Sequence, residues 1–296
     1  MISYKNARLL VFTVLSLNFL NSNAATVDTI DVVSPSMHTT YKAAVAIPAS
    51  YTKNAALYPV LYLLHGANGH FRSWSIRPPV NKKLVEDMAD QYNMIIVMPE
   101  GEVFGWYYDN PQNPENQFET HIIKEVIPKV DATYRTVKSN KGRAISGLSM
   151  GGHGAVYLST RHPDMFCAAG TMSGAMDMNF TKYRTTQPST PAQKERYIKA
   201  LGSDDPTSEV YVKNSVINMI DMIKKNGLPL IIDCGVDDFL LDVNRAFHER
   251  LVYNNIPHDY TERPGEHTWA YWENALPYHM VFFQKVLKNN GVTVEK

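Results

Sequence analysis

A serine lies at the centre of the string Gly147-Leu148-Ser149-Met150-Gly151, between a run that predicts a strand and a run that predicts a helix. A serine hydroxyl becomes an effective nucleophile when a sharp strand-to-helix turn projects its Oγ toward a general base. Such a turn strains the serine backbone, and glycines two positions away on either side relieve the crowding. The following helix then directs its free amides and positive dipole at the oxyanion that forms. We therefore predict that Ser149 is a catalytic nucleophile.

A second interpretation of these glycines is a dinucleotide-binding loop. The string Gly152-His153-Gly154 lacks the third glycine at the spacing that such a loop requires. The pattern therefore favours a nucleophilic serine.

A general base must accompany the serine, and it is expected at the carboxyl end of a later strand. Among the ten histidines, His267 lies in the loop after the last predicted strand and directly before the closing helix. We therefore assign the base to His267. His65 ends an earlier strand and is a weaker alternative, because it is expected to hydrogen-bond to its own loop. The histidines within or at the ends of predicted helices are expected to pack or cap: His153, His162, His248 and His279.

An acid that orients the base is expected at the end of the strand PLIIDCGVDD, where Asp237 and Asp238 are adjacent. Adjacent side chains at a strand end point in opposite directions. Only one of the two can therefore accept a hydrogen bond from His267, and the other is expected to cap the helix that begins near Leu240. The residue pattern alone leaves this choice open. Weaker candidates are Asp242 and Glu266.

Two backbone amides are expected to form an oxyanion hole. One belongs to Met150, which follows the serine. The other is expected in the turn His65-Gly66-Ala67-Asn68-Gly69, where the amide of Ala67 would face that of Met150.

Aromatic residues follow the predicted oxyanion loop, the strand MIIVMPE and the base. Their faces suit a sugar ring or a cinnamoyl group, because stacking buries a large area at a low entropy cost. We predict substrate contacts from Trp74, Trp106 and Trp269. Neighbouring aromatic residues in the same segments are Tyr107, Tyr108, Tyr271 and Trp272.

The elements that must position these groups alternate between buried strands and helices, which is typical of an α/β fold with a mostly parallel sheet covered on both faces. Helices are expected at about 81–92, 118–134, from Met150, at 241–253 and up to about Leu287. The segment 175–227 breaks the rhythm and is predicted to be an insertion over one sheet edge. The predicted strands are TVDTIDVV and TTYKAAVAIPA as an antiparallel edge hairpin, then YPVLYLLHG, MIIVMPEG, GRAISGLS, CAAGTMSG, PLIIDCGVDD and HDYTERPG.

The composition is that of an ordinary globular protein, with 296 residues and 29 basic against 29 acidic side chains. This balance argues against a nucleic-acid partner. Lys5 and Arg8 precede an apolar run at 9–20 that is too short to span a bilayer. Together with the small residues of Ser22-Asn23-Ala24, this pattern predicts a signal peptide with cleavage after Ala24. We therefore expect one domain at 25–296, periplasmic or secreted, without a membrane anchor.

Two cysteines, Cys167 and Cys234, make one disulfide conceivable in an exported protein. Cys167 opens its predicted strand, whereas Cys234 nearly closes its own. On neighbouring parallel strands the sulfurs would be about 16 Å apart, which is beyond disulfide reach. We therefore predict two free thiols. No CxxC or HExxH pairing is present, and we therefore assign no metal site and no cofactor.

The strings YLLHGANGHFRSW, ISGLSMGGHGAVYLSTRHPDMF, CGVDDFLLDVNRAFHERL and GEHTWAYW occur in this order. With them the chain resembles an esterase family of α/β hydrolases that includes S-formylglutathione hydrolases, tributyrin esterases, feruloyl and acetyl xylan esterases and the antigen 85 mycolyltransferases. The resemblance implies an α/β-hydrolase fold and assigns the acid to Asp238. It also places nucleophile and base on Ser149 and His267, and the oxyanion amides on Ala67 and Met150. The chain differs in having Ala67 where relatives often have Leu.

The resemblance and the export signal together favour a secreted serine carboxylesterase that acts through an acyl-enzyme. The expected substrates are acetyl or feruloyl decorations of polysaccharides. Three alternatives remain: an acyltransferase of the antigen 85 type, a thioesterase similar to S-formylglutathione hydrolase, and a non-catalytic carbohydrate-binding protein of the same fold.

Overall fold

The computed structural model of the protein describes residues 24–185 and 190–293. The predicted signal peptide therefore lies outside the described residues, apart from Ala24. Among the helices of the described residues, none is both long enough and apolar enough to cross a membrane.

A single eight-stranded sheet forms the centre of the molecule, with strand order β1-β2-β4-β3-β5-β6-β7-β8. The first two strands pair antiparallel as the predicted edge hairpin, and β2 also runs antiparallel to β4. All other neighbours are parallel, which confirms the predicted architecture. The strands are β1 Thr26–Ser34, β2 Thr39–Ile47, β3 Val60–Leu64, β4 Ile95–Pro99, β5 Arg143–Leu148, β6 Ala168–Met172, β7 Leu230–Gly235 and β8 Asp259–Arg263.

Helices cover both faces of this sheet, so the inner strands are apolar throughout their length. In β3, Tyr62 and Leu64 belong to the core beneath one helical layer, whereas Leu61 and Leu63 belong to the core beneath the other. The helices are α1 Ser73–Ile76, α2 Leu84–Tyr92, α3 Phe118–Thr120, α4 Ile127–Thr133, α5 Met150–Arg161, α6 Pro191–Leu201, α7 Glu209–Asn214, α8 Ile220–Asn226, α9 Leu241–Tyr253 and α10 Trp269–Asn289.

The helix predicted at 118–134 is present but is not α-helical throughout. Between α3 and α4, the segment His121–Val126 forms a π-helix. Pro128 follows in the first turn of α4 and lacks the amide that would continue a regular hydrogen-bond ladder. The apolar stripe of the prediction still faces the core, with Ile122, Val126 and Val130 fully buried.

The segment 175–227, predicted to be an insertion, packs against α5 and α9. The carbonyl of Asn214 accepts a hydrogen bond from His153 in α5, and that of Ile217 accepts one from Arg250 in α9. Apolar side chains of this segment join the core beneath these helices, including Tyr211, Val216 and Ile223. Burial of this apolar surface holds the segment against these two helices.

Both cysteines are unpaired, and the strand register separates them as predicted. Ala169 in β6 lies opposite Leu230 in β7, so Cys234 is four residues further along its strand than the partner of Ala169. Cys167 lies two residues before Ala169, in the opposite direction. Burial raises the pKa of the Cys167 thiol to about 11, and it also raises the pKa of the Cys234 thiol. The reactive thiolate is therefore disfavoured at both positions.

His279 of α10 provides a prediction about stability. It is fully buried, its Nδ1 lies 3.1 Å from Ser146 Oγ, and burial lowers its pKa from 6.5 to about 4. The unfolded chain therefore binds this proton in a pH range where the folded protein does not. We expect the free energy of unfolding to fall as the pH drops from about 6.5 to about 4, by up to about 3 kcal/mol from this residue.

Urea unfolding of the His279→Asn variant at several pH values measures this contribution. The variant is expected to have a shallower pH dependence than the wild type over this range. The exposed His38 supplies the control variant, His38→Asn, which is expected to keep the wild-type slope. Equal slopes in the wild type and His279→Asn would contradict the prediction.

Candidate active site

Ser149 lies at the turn between β5 and α5, where its backbone has φ 54° and ψ −119°. This conformation is strained for a residue with a side chain. A Cβ on Gly147 would lie 2.4 Å from the carbonyl oxygen of Gly151, and one on Gly151 would lie 2.5 Å from that of His65. The turn therefore requires glycine at both flanking positions, which is the reason for the spacing seen in the sequence.

The structure brings Ser149, His267 and Asp238 together, although they are far apart in the sequence. Ser149 Oγ lies 3.0 Å from His267 Nε2. On the other side of the ring, Nδ1 lies 2.8 Å and 3.0 Å from the two carboxylate oxygens of Asp238. Because a carboxylate only accepts, Nδ1 carries a proton and Nε2 is left to accept one from the serine hydroxyl. The arrangement can draw a proton from Ser149.

Asp238 is fully buried, whereas Asp237 is exposed. A buried carboxylate requires hydrogen-bond donors, and Asp238 Oδ1 accepts the backbone amide of Leu240 at 2.8 Å in addition to the bond from His267. The expectation that the second aspartate caps α9 is wrong, because the N-cap position is Leu240 and it makes no side-chain cap. Asp242 pairs with Arg184 on the surface and does not reach His267.

Two aromatic rings that sequence reasoning did not assign to the base hold its imidazole. Phe239 lies 4.4 Å and Trp272 lies 4.8 Å from the ring of His267, measured between centroids. The indole Nε1 of Trp272 donates to Ser173 Oγ at 3.1 Å, which fixes the tryptophan. The sequence offered one signal for each ring: Phe239 directly follows the predicted acid Asp238, and Trp272 closely follows the predicted base His267.

The loop after β3 packs directly against the serine turn. A Cβ on Gly66 would lie 2.5 Å from a methyl carbon of Leu148 and 3.1 Å from Cβ of Ser149, so this approach requires glycine. Ala67, Ser149 and Met150 line the same cavity. The two predicted amide donors therefore belong to segments that meet at the serine.

His65, the weaker candidate base, is engaged elsewhere. Its Nδ1 lies 2.9 Å from the carbonyl oxygen of Gly66, and its Nε2 lies 3.0 Å from the amide nitrogen of Gly101 and 3.2 Å from Glu100 Oε1. Glu100 lies beside it; burial alone would raise the pKa of this carboxyl, but hydrogen bonds from His65 and from neighbouring amides lower it. His65 thus fastens the loop after β3 to the end of β4.

The other histidines pack or cap, as predicted. His153 is fully buried and its Nε2 donates to the carbonyl of Asn214 at 2.8 Å; burial lowers its pKa to about 4. His162 lies 2.8 Å from Glu119 at the end of α5. His248 stacks on Tyr260 at 3.9 Å.

A cavity of about 580 Å³ opens beside Ser149, and we refer to it as the first cavity. Of the three tryptophans predicted to contact substrate, only Trp106 lines it. Trp74 is buried and donates its Nε1 to the carbonyl of Leu64 at 3.1 Å, which leaves no face for a ligand. Trp269 packs edge-on against Trp74, with ring centroids 5.2 Å apart, and also lies outside the cavity lining.

Most aromatic residues of the first cavity were not identified from the sequence. The segment 175–227 supplies three of them, although its pattern indicated only an insertion. These three are Phe180, Tyr183 and Tyr197. The other two are Phe104, in the loop after β4, and Phe239, which directly follows Asp238. Two arginines of the inserted segment, Arg184 and Arg196, also line the cavity.

Comparison with known proteins agrees with this architecture. The model of the family described as "Putative esterase" matches residues 34–283. An esterase of Mycobacterium tuberculosis is 29% identical over 248 residues, which cover 76% of this chain and 52% of the relative. The chain thus spans about half the length of that relative. An acetyl esterase of Caldicellulosiruptor saccharolyticus is 26% identical over 234 residues, covering 76% of this chain and 83% of the relative.

Solved structures show the same fold. A ferulic acid esterase superposes with a TM-score of 0.76 at 30% identity, covering 89% of this chain and 99% of the other. An S-formylglutathione hydrolase of Staphylococcus aureus superposes with a TM-score of 0.72 at 21% identity, covering 88% and 100%. The chain has the α/β-hydrolase fold and belongs to the esterase family that this model describes.

Proposed function

We propose that this chain is a serine carboxylesterase in which Ser149 is the nucleophile, His267 the general base and Asp238 the residue that orients the base. The observation that carries the proposal is the continuous hydrogen-bond chain from Ser149 Oγ through the imidazole to the buried carboxylate. Family membership supports the same activity.

In the first half of the reaction, Ser149 Oγ attacks the ester carbonyl carbon and its proton moves to His267 Nε2. The carbonyl oxygen becomes an oxyanion, which accepts hydrogen bonds from the amides of Ala67 and Met150. The carbon–oxygen bond to the alcohol then breaks, and His267 returns its proton to the departing alkoxide. Asp238 stabilises the imidazolium that exists between these two transfers.

In the second half, a water molecule takes the place of the alcohol. His267 accepts a proton from the water as its oxygen attacks the acyl-enzyme, and the same two amides bind the second oxyanion. Collapse of this intermediate breaks the bond to Ser149, which regains its proton from His267. The acid leaves, and the triad is restored.

The proposed substrates are acetyl or feruloyl esters of carbohydrates, cleaved outside the cytoplasm after removal of the signal peptide. Relatives named acetyl esterase and ferulic acid esterase support this class. The first cavity supports it as well, because its size suits a small organic ligand and rings such as Trp106 and Tyr197 line it. The half-buried ring of Tyr197 offers part of its face to a cinnamoyl group or a sugar.

A screen of the purified protein against p-nitrophenyl acetate, p-nitrophenyl butyrate and methyl ferulate tests the activity. Replacing Tyr197 by Ala is expected to raise KM for methyl ferulate about tenfold or more relative to p-nitrophenyl acetate. The reason is that each lost ring contact is worth on the order of 1 to 3 kcal/mol and only the larger acyl group covers the ring.

Trp269→Ala is the matched control, since this ring lies outside the first cavity. It is expected to affect large and small esters alike. Equal losses on both esters in the Tyr197 variant would contradict the aromatic-substrate assignment. A second experiment adds an acceptor alcohol and identifies the products. Release of the free acid shows that water attacks the acyl-enzyme, whereas formation of a new ester shows that the alcohol does.

A further inference from the structure

A second cavity, of about 600 Å³, lies beside the first and has no part in the chemistry described above. Its walls come from the turn between β1 and β2, from the loop after β4 and from α6. We refer to it as the second cavity. Its lining includes Thr39, Tyr41, Phe104, Glu115, Phe118 and Arg196.

The two cavities share a wall, because Phe104 and Arg196 line both of them. Arg196 Nη1 donates to the side-chain oxygen of Asn68 at 2.8 Å, and the amide of Asn68 donates to the carbonyl of Val103 at 2.8 Å. Asn68 directly follows Ala67, whose amide is a proposed oxyanion donor. The two cavities are therefore adjacent, one on either side of Phe104 and Arg196.

Three aromatic rings contribute to the second cavity: Tyr41, Phe104 and Phe118. Tyr41 and Phe104 are half-buried, so part of each ring remains open to a ligand. The ring centroids of Tyr41 and Phe118 are 5.4 Å apart, which places two rings in one wall. Aromatic faces of this kind suit the apolar faces of sugar rings.

The charges of the second cavity are balanced. Among its lining residues, Glu102 and Glu115 are acidic, whereas Arg196 and Lys199 are basic, and all four are exposed. Equal numbers of both signs give no net attraction for an anion or a cation. The same groups provide acceptors and donors for neutral hydroxyl groups. The lining therefore fits a neutral polyhydroxylated ligand better than an ionic one.

Two residues of the lining have left-handed backbone conformations, with φ 51° at His38 and φ 56° at Glu102. Such conformations cost free energy in residues other than glycine and often accompany ligand sites. One lies in the turn after β1 and the other in the loop after β4.

From the shared wall, the rings and the balanced charge, we propose that the second cavity binds a neutral sugar unit on the alcohol side of the ester, while the first cavity holds the acyl group. This inference rests on the proposed function and extends it to the carbohydrate part of the substrate. The second cavity then increases the affinity for oligosaccharide esters over esters of simple alcohols.

The experiment fills the second cavity without touching the first. Thr39 and Tyr41 line it from the same face of β2, whereas Thr40 is absent from the lining, in agreement with strand alternation. Thr39→Trp places a large ring in the second cavity, and Thr40→Trp is the matched control on the opposite face. Both threonines are exposed, so the substitutions avoid the core. Glu115→Ala is a second variant that removes one polar contact and no apolar packing.

Kinetics are measured on methyl ferulate and on a feruloylated arabinoxylo-oligosaccharide. Thr39→Trp is expected to lower kcat/KM for the oligosaccharide ester about tenfold or more, mainly through KM, which corresponds to about 1.4 kcal/mol of lost binding. It is expected to leave methyl ferulate within about twofold, because this ester does not reach the second cavity. Glu115→Ala is expected to show a smaller loss in the same direction. Thr40→Trp is expected to match the wild type on both esters.

Binding of an ester-free xylo-oligosaccharide, measured by calorimetry, separates this inference from the proposed function. If the wild type hydrolyses methyl ferulate but Thr39→Trp retains full activity on the oligosaccharide ester, the subsite is wrong and the esterase proposal stands. If the wild type hydrolyses neither ester, the esterase proposal fails. In that case, binding that Thr39→Trp loses and Thr40→Trp keeps supports the subsite, whereas binding that is absent or equal in both variants overturns it.

Discussion

Replacing Ser149 or His267 by Ala is expected to lower kcat by about 10⁶ in each case, and the double variant is expected to lose little more than either single variant. The hydroxyl lies 3.0 Å from the imidazole, so each group acts only with the other. Without the base the serine keeps its proton, and without the serine the base has no nucleophile in the correct position. Steady-state rates on p-nitrophenyl acetate measure these effects.

The matched controls are Ser75→Ala and His70→Ala, both on segments that lie outside the lining of the first cavity. They are expected to retain wild-type kcat. A double variant whose loss equals the product of the two single losses would show that Ser149 and His267 contribute independently. Such a result would contradict the proposed mechanism.

Asp238→Asn is expected to lower kcat by about 10⁴, by analogy with the acid of the serine proteases. An asparagine can turn its amide nitrogen toward Nδ1 and so favour the ring tautomer that carries the proton on Nε2. That tautomer cannot accept the proton of Ser149. The fold is expected to survive, because an amide oxygen can still accept the amide hydrogen of Leu240.

Asp237→Asn is the control for this substitution, since its side chain is exposed on the opposite side of the strand end. It is expected to leave kcat within about twofold, as surface substitutions usually have small effects. A larger loss of kcat in Asp237→Asn than in Asp238→Asn would show that Asp237, and not Asp238, is the acid.

The sequence by itself determined the architecture, because that information is local. Buried strands alternating with amphipathic helices predict a mostly parallel sheet, and the strands occur where the apolar runs predict them. The turn at Ser149 was also visible, since its strained backbone demands glycine at fixed spacing. His267 followed from its position after the last strand, because carboxyl ends of parallel strands meet at one edge of the sheet.

The choice between Asp237 and Asp238 shows where local information ends. Strand alternation establishes that only one of the two aspartates can face His267, but it does not determine which one. The resemblance to known esterases selected Asp238, and the structure buries that carboxylate beside the imidazole. Burial is a property of the whole fold, and a pair of adjacent aspartates does not encode it.

The walls of both cavities were decided only by the tertiary structure. Trp74, Trp106 and Trp269 had equal standing in the sequence, yet only Trp106 lines the first cavity, because Trp74 and Trp269 pack against each other outside it. The inserted segment contributes rings such as Tyr197, which carry no periodic signal that ties them to the serine. Local patterns determine which elements form and which turns are strained. The packing of distant segments, driven by burial of apolar surface, decides which side chains surround the site.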